Sequence, residues 1–270
     1  MKIKCSMWGW LWGILAFCGL LAGCTAVSDA PVQKNPNITI LAASSLTDVF
    51  SELGHAFVKA QGGGIDLAFS FAGSSNLAVQ LQEGAVADIF ASANEAQMMT
   101  AVSANRIQPD SIQTFATNQL ALIVPAGNPA NITSLADLAR PEVQLILAAP
   151  GVPVRDYSDL VLQTLDADTQ SQIYANLVSE GQNVRQIVAQ VALGEADAGM
   201  VYRTDVASDL AENVALIPFP EAQNVVALYP IALVTDAPQP ALAQQFIDFT
   251  LSAEGQAILA EWGFGPAPSK

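Results

Sequence analysis

The sequence predicts an α/β protein in which mainly parallel sheets are covered by helices, in one large domain or two linked lobes. Three observations predict it. Short apolar runs bounded by turn residues recur along the chain, amphipathic stretches alternate with them, and 270 residues suit one or two domains of roughly 100–200 residues each. An alternation of this kind needs helices on both faces of a buried sheet.

The runs that read as strands are ITILAAS from Ile38, IDLAFSFA from Ile65, ADIFASA from Ala87, LALIVPA from Leu120 and QLILAAP from Gln144. DAGMVYR from Asp197, VALIPF from Val214 and VVALYPIALV from Val225 follow, all short and rich in branched apolar residues. Between them, LTDVFSELGHAFVKA from Leu46 and NLAVQLQEGA from Asn76 place apolar residues three and four apart, the spacing of a helix with one buried stripe.

The amino terminus follows different rules. Lys2 and Lys4 precede the apolar run WGWLWGILAFCGLLAG, the layout of a secretory signal over residues 1–23. Its 16 residues are short for an uncleaved span of about 20. The run ends in LAGC, which resembles the bacterial lipobox and makes Cys24 the expected lipidation site and new first residue. Cys5 and Cys18 leave with the signal, so Cys24 has no disulfide partner. Residues 24–37, polar with two prolines, read as a tether. The chain's formal charge of −15 becomes 8 − 25 = −17 once Lys2 and Lys4 are removed. Such a chain repels nucleic acid, and any anion it holds must be held by short-range hydrogen bonds.

In open α/β sheets ligands sit beyond the carboxyl ends of strands, where helix amino termini present free N–H groups. Four such turns stand out: AASSL at Ala42, FAGSSNL at Phe71, APGVPVRDY at Ala149 and SEGQNVRQIV at Ser179, with GMVYRTD at Gly199 ending a strand in Tyr202. Ser45 and Ser74 offer hydroxyls beside free amides; either serves as an ordinary helix cap or as an anion donor. Neither turn opens with an acid. A fully ionised tetrahedral oxyanion accepts hydrogen bonds and donates none, so donors without a facing carboxylate suit it.

AASSLTDVF, FAGSSNLAVQL, GAVADIFASAN, NVRQIVAQVALGEADAGMVYRTD and the closing GQAILAEWGF occur in unbroken order over residues 38–264. In these motifs the chain resembles the periplasmic molybdate-binding proteins of ABC importers. The resemblance implies a two-lobed periplasmic binding protein fold with a two-crossing hinge. It implies capture of molybdate, and of tungstate, by neutral hydrogen bonds from Ser45, Ser74, the amides of Val154 and Val184, and the Tyr202 hydroxyl. No cofactor and no bare metal cation is implied; molybdenum or tungsten enters as its oxyanion. The implied partners are a permease and an ATPase subunit, and the place is outside the cytoplasmic membrane of a bacterium, with the lipid as anchor and the chain a monomer. Lobe 1 is expected from residues 38–117 and 223–270, and lobe 2 from 118–222, with crossings near Asn118 and Phe219. One turn departs from the family pattern. VPVRDYS places Arg155 and Asp156 where a small residue and glycine are common; Arg155 either reaches the ligand or pairs with Asp156 on the surface, and the surface pairing is the expected outcome, since solvated charges are the common case.

Other functions fit less well. A serine hydrolase needs a base against its nucleophile, and the single histidine, His55, falls mid-helix about ten residues after Ser45, on the order of 15 Å along the axis. No GxSxG elbow, CxxC pair or glycine-rich phosphate loop is present. Asp48, Asp88, Asp197 and Asp205 are explained by capping or hinge contacts, Asn76 by a helix surface, and Trp262 and Phe264 by packing under a terminal helix. A binding protein for sulfate or a ferric complex remains the nearer alternative.

Overall fold

The structure is a computed structural model that describes residues 35–207 and 211–267. The expected signal segment, Cys24 and the tether as far as Lys34 lie outside the described residues. Among the described residues the chain forms ten strands and eight α-helices, alternating one for one only as far as the third helix. The strands are β1 (Asn37–Ala43), β2 (Asp66–Ala72), β3 (Ile89–Ala91), β4 (Gln113–Pro125) and β5 (Leu145–Ala148), then β6 (Leu177–Gly181), β7 (Ala198–Tyr202), β8 (Val214–Pro218), β9 (Val226–Leu233) and β10 (Gly265–Pro266). The helices are α1 (Thr47–Ala60), α2 (Ser74–Gln82), α3 (Glu95–Ser103), α4 (Pro153–Leu162), α5 (Ala167–Ala175), α6 (Val184–Ala192), α7 (Pro240–Leu251) and α8 (Ala253–Glu261).

The strands join in the order β2-β1-β3-β9-β4-β7-β5-β6, with β8 and β10 also paired to β4. Parallel pairing holds within β2-β1-β3 and within β7-β5-β6, where helices cross over between strands. At the centre the pairing is antiparallel, which the alternation of strands and helices does not announce. The reason lies in β4. Its first half pairs with β9 through Gln119, and from Leu120 onward it pairs with β7, and from Ala121 also with β8. One strand thus serves two groups of strands, and the chain returns along β9 in the opposite direction.

β4 begins at Gln113, earlier than its apolar run at Leu120, because its first half alternates buried and half-buried positions instead of reading as a continuous apolar segment. The composition of β6, LVSEG, does not announce a strand, because it is half polar and lies at the sheet edge with alternating burial. Among the described residues no helix is long and apolar enough to cross a membrane.

α1 is held by its apolar stripe, Val49, Phe50, Leu53 and Phe57, all buried. Phe50 centres an aromatic cluster, with ring centroids 5.5 Å from Phe115, 6.0 Å from Phe246 and 6.4 Å from Phe69. Offset and edge-on rings at these distances add to the area they bury. This packing anchors the helix whose leading turn carries Ser45. Phe50→Ala should destabilise the fold by about 3–5 kcal/mol in urea unfolding, the usual range for emptying an aromatic core site.

Candidate functional site

Six strand ends and four helix beginnings meet at one small cavity. It is lined by Ala43 to Ser45 after β1, Gly73 and Ser74 after β2, Ala93 after β3, Val152 to Val154 after β5, Asn183 and Val184 after β6, and Tyr202 closing β7. The space between them measures about 210 Å³, the open solvent at its mouth included. All five residues expected to donate, Ser45, Ser74, Val154, Val184 and Tyr202, are therefore brought together. Apart from the tyrosine phenol, none of the lining side chains ionises.

The serines are not caps. Gly73 occupies the N-cap of α2, Ser74 is the first helical residue, and neither turn shows a side-chain capping bond. Instead the buried Ser74 Oγ accepts the Ala93 N–H at 3.0 Å. An N–H can only donate, so the Ser74 proton stays free for another acceptor. Ser45 Oγ lies 3.1 Å from the hydroxyl of Tyr229, a fully buried side chain of β9.

Helix geometry supplies the amides. Asn183 caps α6, its Oδ1 accepting from Gln186 N at 3.1 Å, which leaves the N–H of Val184 at the first position without an intrahelical partner. Pro153 opens α4, where its missing N–H costs nothing, and Val154 follows; the first backbone bond there runs from Arg155 N to Val152 O. Neither Val154 N nor Val184 N has a hydrogen-bond partner among the described residues. Their apolar side chains pack into the core, so only the main chain faces the cavity as a polar group. The positive ends of these helix dipoles all point at the same space.

Tyr202 is the clearest signal. It is 1 % exposed, and among the described residues its hydroxyl has no hydrogen-bond partner. Its ring packs edge-on against Tyr157 at 6.3 Å and Tyr229 at 5.6 Å. Burial pushes its phenol well above the ordinary value, so it stays protonated and able to donate. A buried hydroxyl left unpaired is costly, and a cavity wall is where a guest would satisfy it. The chain position is fixed by Asp205, which accepts the Tyr202 N–H at 2.9 Å and whose own carboxyl is pushed up to about 7, chiefly by burial.

Direct contacts tie the elements across the cavity. Arg185 of α6 donates from Nε to Ser44 O at 3.2 Å and pairs with Asp48 of α1. Asn94 Nδ2 donates to Asp156 Oδ2 at 3.1 Å, Gln97 Nε2 to Gly151 O at 2.8 Å, and Leu228 N to the Tyr157 hydroxyl at 3.2 Å. A Cβ at Gly73 would collide with the Gln182 carbonyl oxygen, so only glycine allows this approach.

The expected surface pairing of Arg155 with Asp156 does not form. Arg155 has a side chain 12 % exposed, binds Asp159 at 2.8 Å and Glu180 at 2.9 Å, and donates to Ala148 O at 2.9 Å. It points back over the Tyr174 ring, 5.6 Å from its centroid. The carbonyl at the end of β5 and two carboxylates outcompete the adjacent Asp156, and neither residue lines the cavity. His55 is exposed and lines a separate groove with Val58 and Phe69. The four aspartates have structural partners: Asp48 with Arg185, Asp88 with the N–H groups of Thr39 and Gln239, Asp197 with Gln144 N, and Asp205 as above. Asn76 is exposed and Phe264 buried, while Trp262 donates to Glu52 at 2.7 Å and is only partly buried. Tyr229 was missed by sequence reasoning, because a tyrosine inside an apolar strand carries no signal of its own.

A mixed α/β fold with a cavity of uncharged donors among helix tips defines a solute-binding protein. The chain belongs to the bacterial extracellular solute-binding protein family, whose model matches residues 38–265. The molybdate-binding protein ModA of Mycobacterium tuberculosis is 40 % identical over 234 residues, covering 87 % of this chain and 86 % of that protein. ModA of Escherichia coli is 32 % identical over 250 residues, 88 % and 93 % of the two chains. A sulfate-binding protein of Synechococcus elongatus is more distant, 27 % identical over 73 % of this chain and 63 % of its own length. Among solved structures, the periplasmic molybdate-binding protein of Azotobacter vinelandii superposes with a TM-score of 0.72 at 20 % identity, covering 86 % of this chain and all of that one. The sulfate-binding protein SubI of M. tuberculosis gives 0.75 at 21 %, with 86 % and 87 % covered. These similarities establish the two-lobed periplasmic binding protein fold, and the relatives are solute-binding proteins, not enzymes.

Because the Tyr202 hydroxyl is buried without a partner, Tyr202→Phe should leave the ligand-free protein at least as stable, by up to about 1–3 kcal/mol in urea unfolding. A loss of stability would mean that the hydroxyl has a partner within the fold.

Proposed function

We propose that this chain captures molybdate, and tungstate, outside the cytoplasmic membrane and delivers it to the permease and ATPase of an ABC importer. The observation that carries the reading is the meeting of three hydroxyls and two unpaired amides around one cavity with no charged side chain in its wall. A tetrahedral dianion presents four acceptor oxygens and no proton. Ser45, Ser74, Tyr202 and the amides of Val154 and Val184 donate to them. In a cavity shielded from water each such bond is stronger than in solvent.

Fold alone does not separate the anions, since the molybdate- and sulfate-binding structures superpose about equally well. Sequence favours molybdate, at 40 % identity against 27 %. Sulfate has the same charge and shape but is smaller, so the span between opposed donors does the selecting. The two lobes, 38–117 with 223–270 and 118–222, close over the anion by a hinge where β4 changes partners after Gln119. Cys24, freed by cleavage after Gly23 and lipidated, holds the chain at the membrane through the tether. The protein acts as a monomer with no cofactor and catalyses no reaction.

Calorimetric titration of the mature domain tests this. Molybdate and tungstate should bind tightly, with sulfate and phosphate far weaker; a preference for sulfate or a ferric complex would overturn the assignment. Ser45→Ala and Ser74→Ala should each weaken molybdate binding by about 1.5–3 kcal/mol, roughly 10- to 150-fold, with the fold intact. Unchanged affinity in both refutes the site.

A further inference from the structure

The two serines differ in how their hydroxyl direction is set. Ser74 has no choice, since the Ala93 N–H it faces at 3.0 Å can only donate. Ser45 faces another hydroxyl, that of Tyr229 at 3.1 Å, and either group can be the donor. If Ser45 donated, its only proton would point away from the cavity and toward β9. The anion would then meet lone pairs.

Counting protons removes the ambiguity. Each hydroxyl carries one proton. Tyr229 is fully buried, and among the described residues its hydroxyl meets hydrogen-bond distance and angle only with Ser45 Oγ. Were Ser45 the donor, the Tyr229 proton would be stranded in the core, at the cost of an unpaired buried donor. With Tyr229 as donor, its proton lies on Ser45 Oγ and the Ser45 proton is released toward the cavity. Burial keeps the Tyr229 phenol well above its ordinary range, so it retains the proton this requires. Chained hydrogen bonds also polarise one another, which strengthens the last donor in the series.

We propose that Tyr229 is a positioning residue that commits Ser45 to donate into the cavity, and that through it this chain enforces the preference for proton-free oxyanions that a donor-only wall implies. It touches no anion atom and acts only through Ser45. With Ser45, Ser74 and Tyr202 all turned as donors, a hydrogen oxyanion such as hydrogen arsenate brings a proton that meets another proton instead of an acceptor. The inference rests on the proposed oxyanion site, and it adds a positioning residue to it.

The test is a double-mutant cycle read by calorimetry with molybdate on the mature protein, together with displacement of bound molybdate by arsenate at slightly alkaline pH. Tyr229→Phe keeps the ring and its packing against Phe115 and Phe264 and removes the proton donor. It should weaken molybdate binding about tenfold, within the range for one hydrogen bond to a charged system. In the Ser45→Ala background it should cost nothing further. Arsenate should compete better against molybdate in Tyr229→Phe than in the unmodified protein, because a freed Ser45 can present a lone pair. Multiplicative losses in the double variant would overturn the proposal, as that places Tyr229 in cavity shape and not in Ser45 orientation. An unchanged ratio of arsenate to molybdate affinity would overturn the selectivity. If Ser45→Ala alone leaves molybdate binding unchanged, it is the oxyanion site itself that fails, a result distinct from either.

Discussion

On the function proposed above, the protein must hold a doubly charged guest in a nearly dry space without using a single opposite charge. Removing a dianion from water is expensive, and only hydrogen bonds already aimed at its oxygens offset that cost. Everything in the structure that positions the cavity serves this constraint. Strand ends fix the turns, helix starts release amides, and side chains such as Ala93's neighbour Ser74 and the pair Ser45–Tyr229 have their directions settled before any anion arrives. A chain whose formal charge is −15 offers no long-range attraction to such a guest, so the short-range geometry carries the whole task.

Most of the candidate site was legible because it follows from position in the chain. Asn183 before Val184, and Pro153 before Val154, are recognisable openings of helices, and the amides they free are a consequence of backbone geometry. The serine turns were legible as places but not as roles, since capping and donating use the same residue type. What decided between them was Ala93 N, nineteen residues from Ser74 in sequence. No local pattern contains that contact. The same holds for Tyr229, which lies 184 residues from Ser45.

The fold shows a similar division. Strands and helices followed from apolar periodicity, yet the antiparallel centre depends on one strand, β4, changing neighbours between Gln119 and Leu120. Pairing partners are set by packing across the whole chain and leave no mark on the strand's own sequence. Arg155 illustrates the cost of reasoning from neighbours in sequence. Asp156 is adjacent, but on a helix adjacent side chains diverge, and Asp159 one turn on captures the guanidinium instead. Asp156 is left free to accept from Asn94, and so joins the contacts that bridge the cavity together with Arg185, Asp48 and Gln97.

A crystal of the mature domain grown with tungstate would address the central claim most directly, because tungsten scatters strongly enough to be located without ambiguity. The account predicts one heavy-atom peak enclosed by Ser45, Ser74, Val154, Val184 and Tyr202, with its oxygens at hydrogen-bond distance from those hydroxyls and amides. A peak beside an arginine or lysine, or on the outer surface of either group of strands, would contradict it.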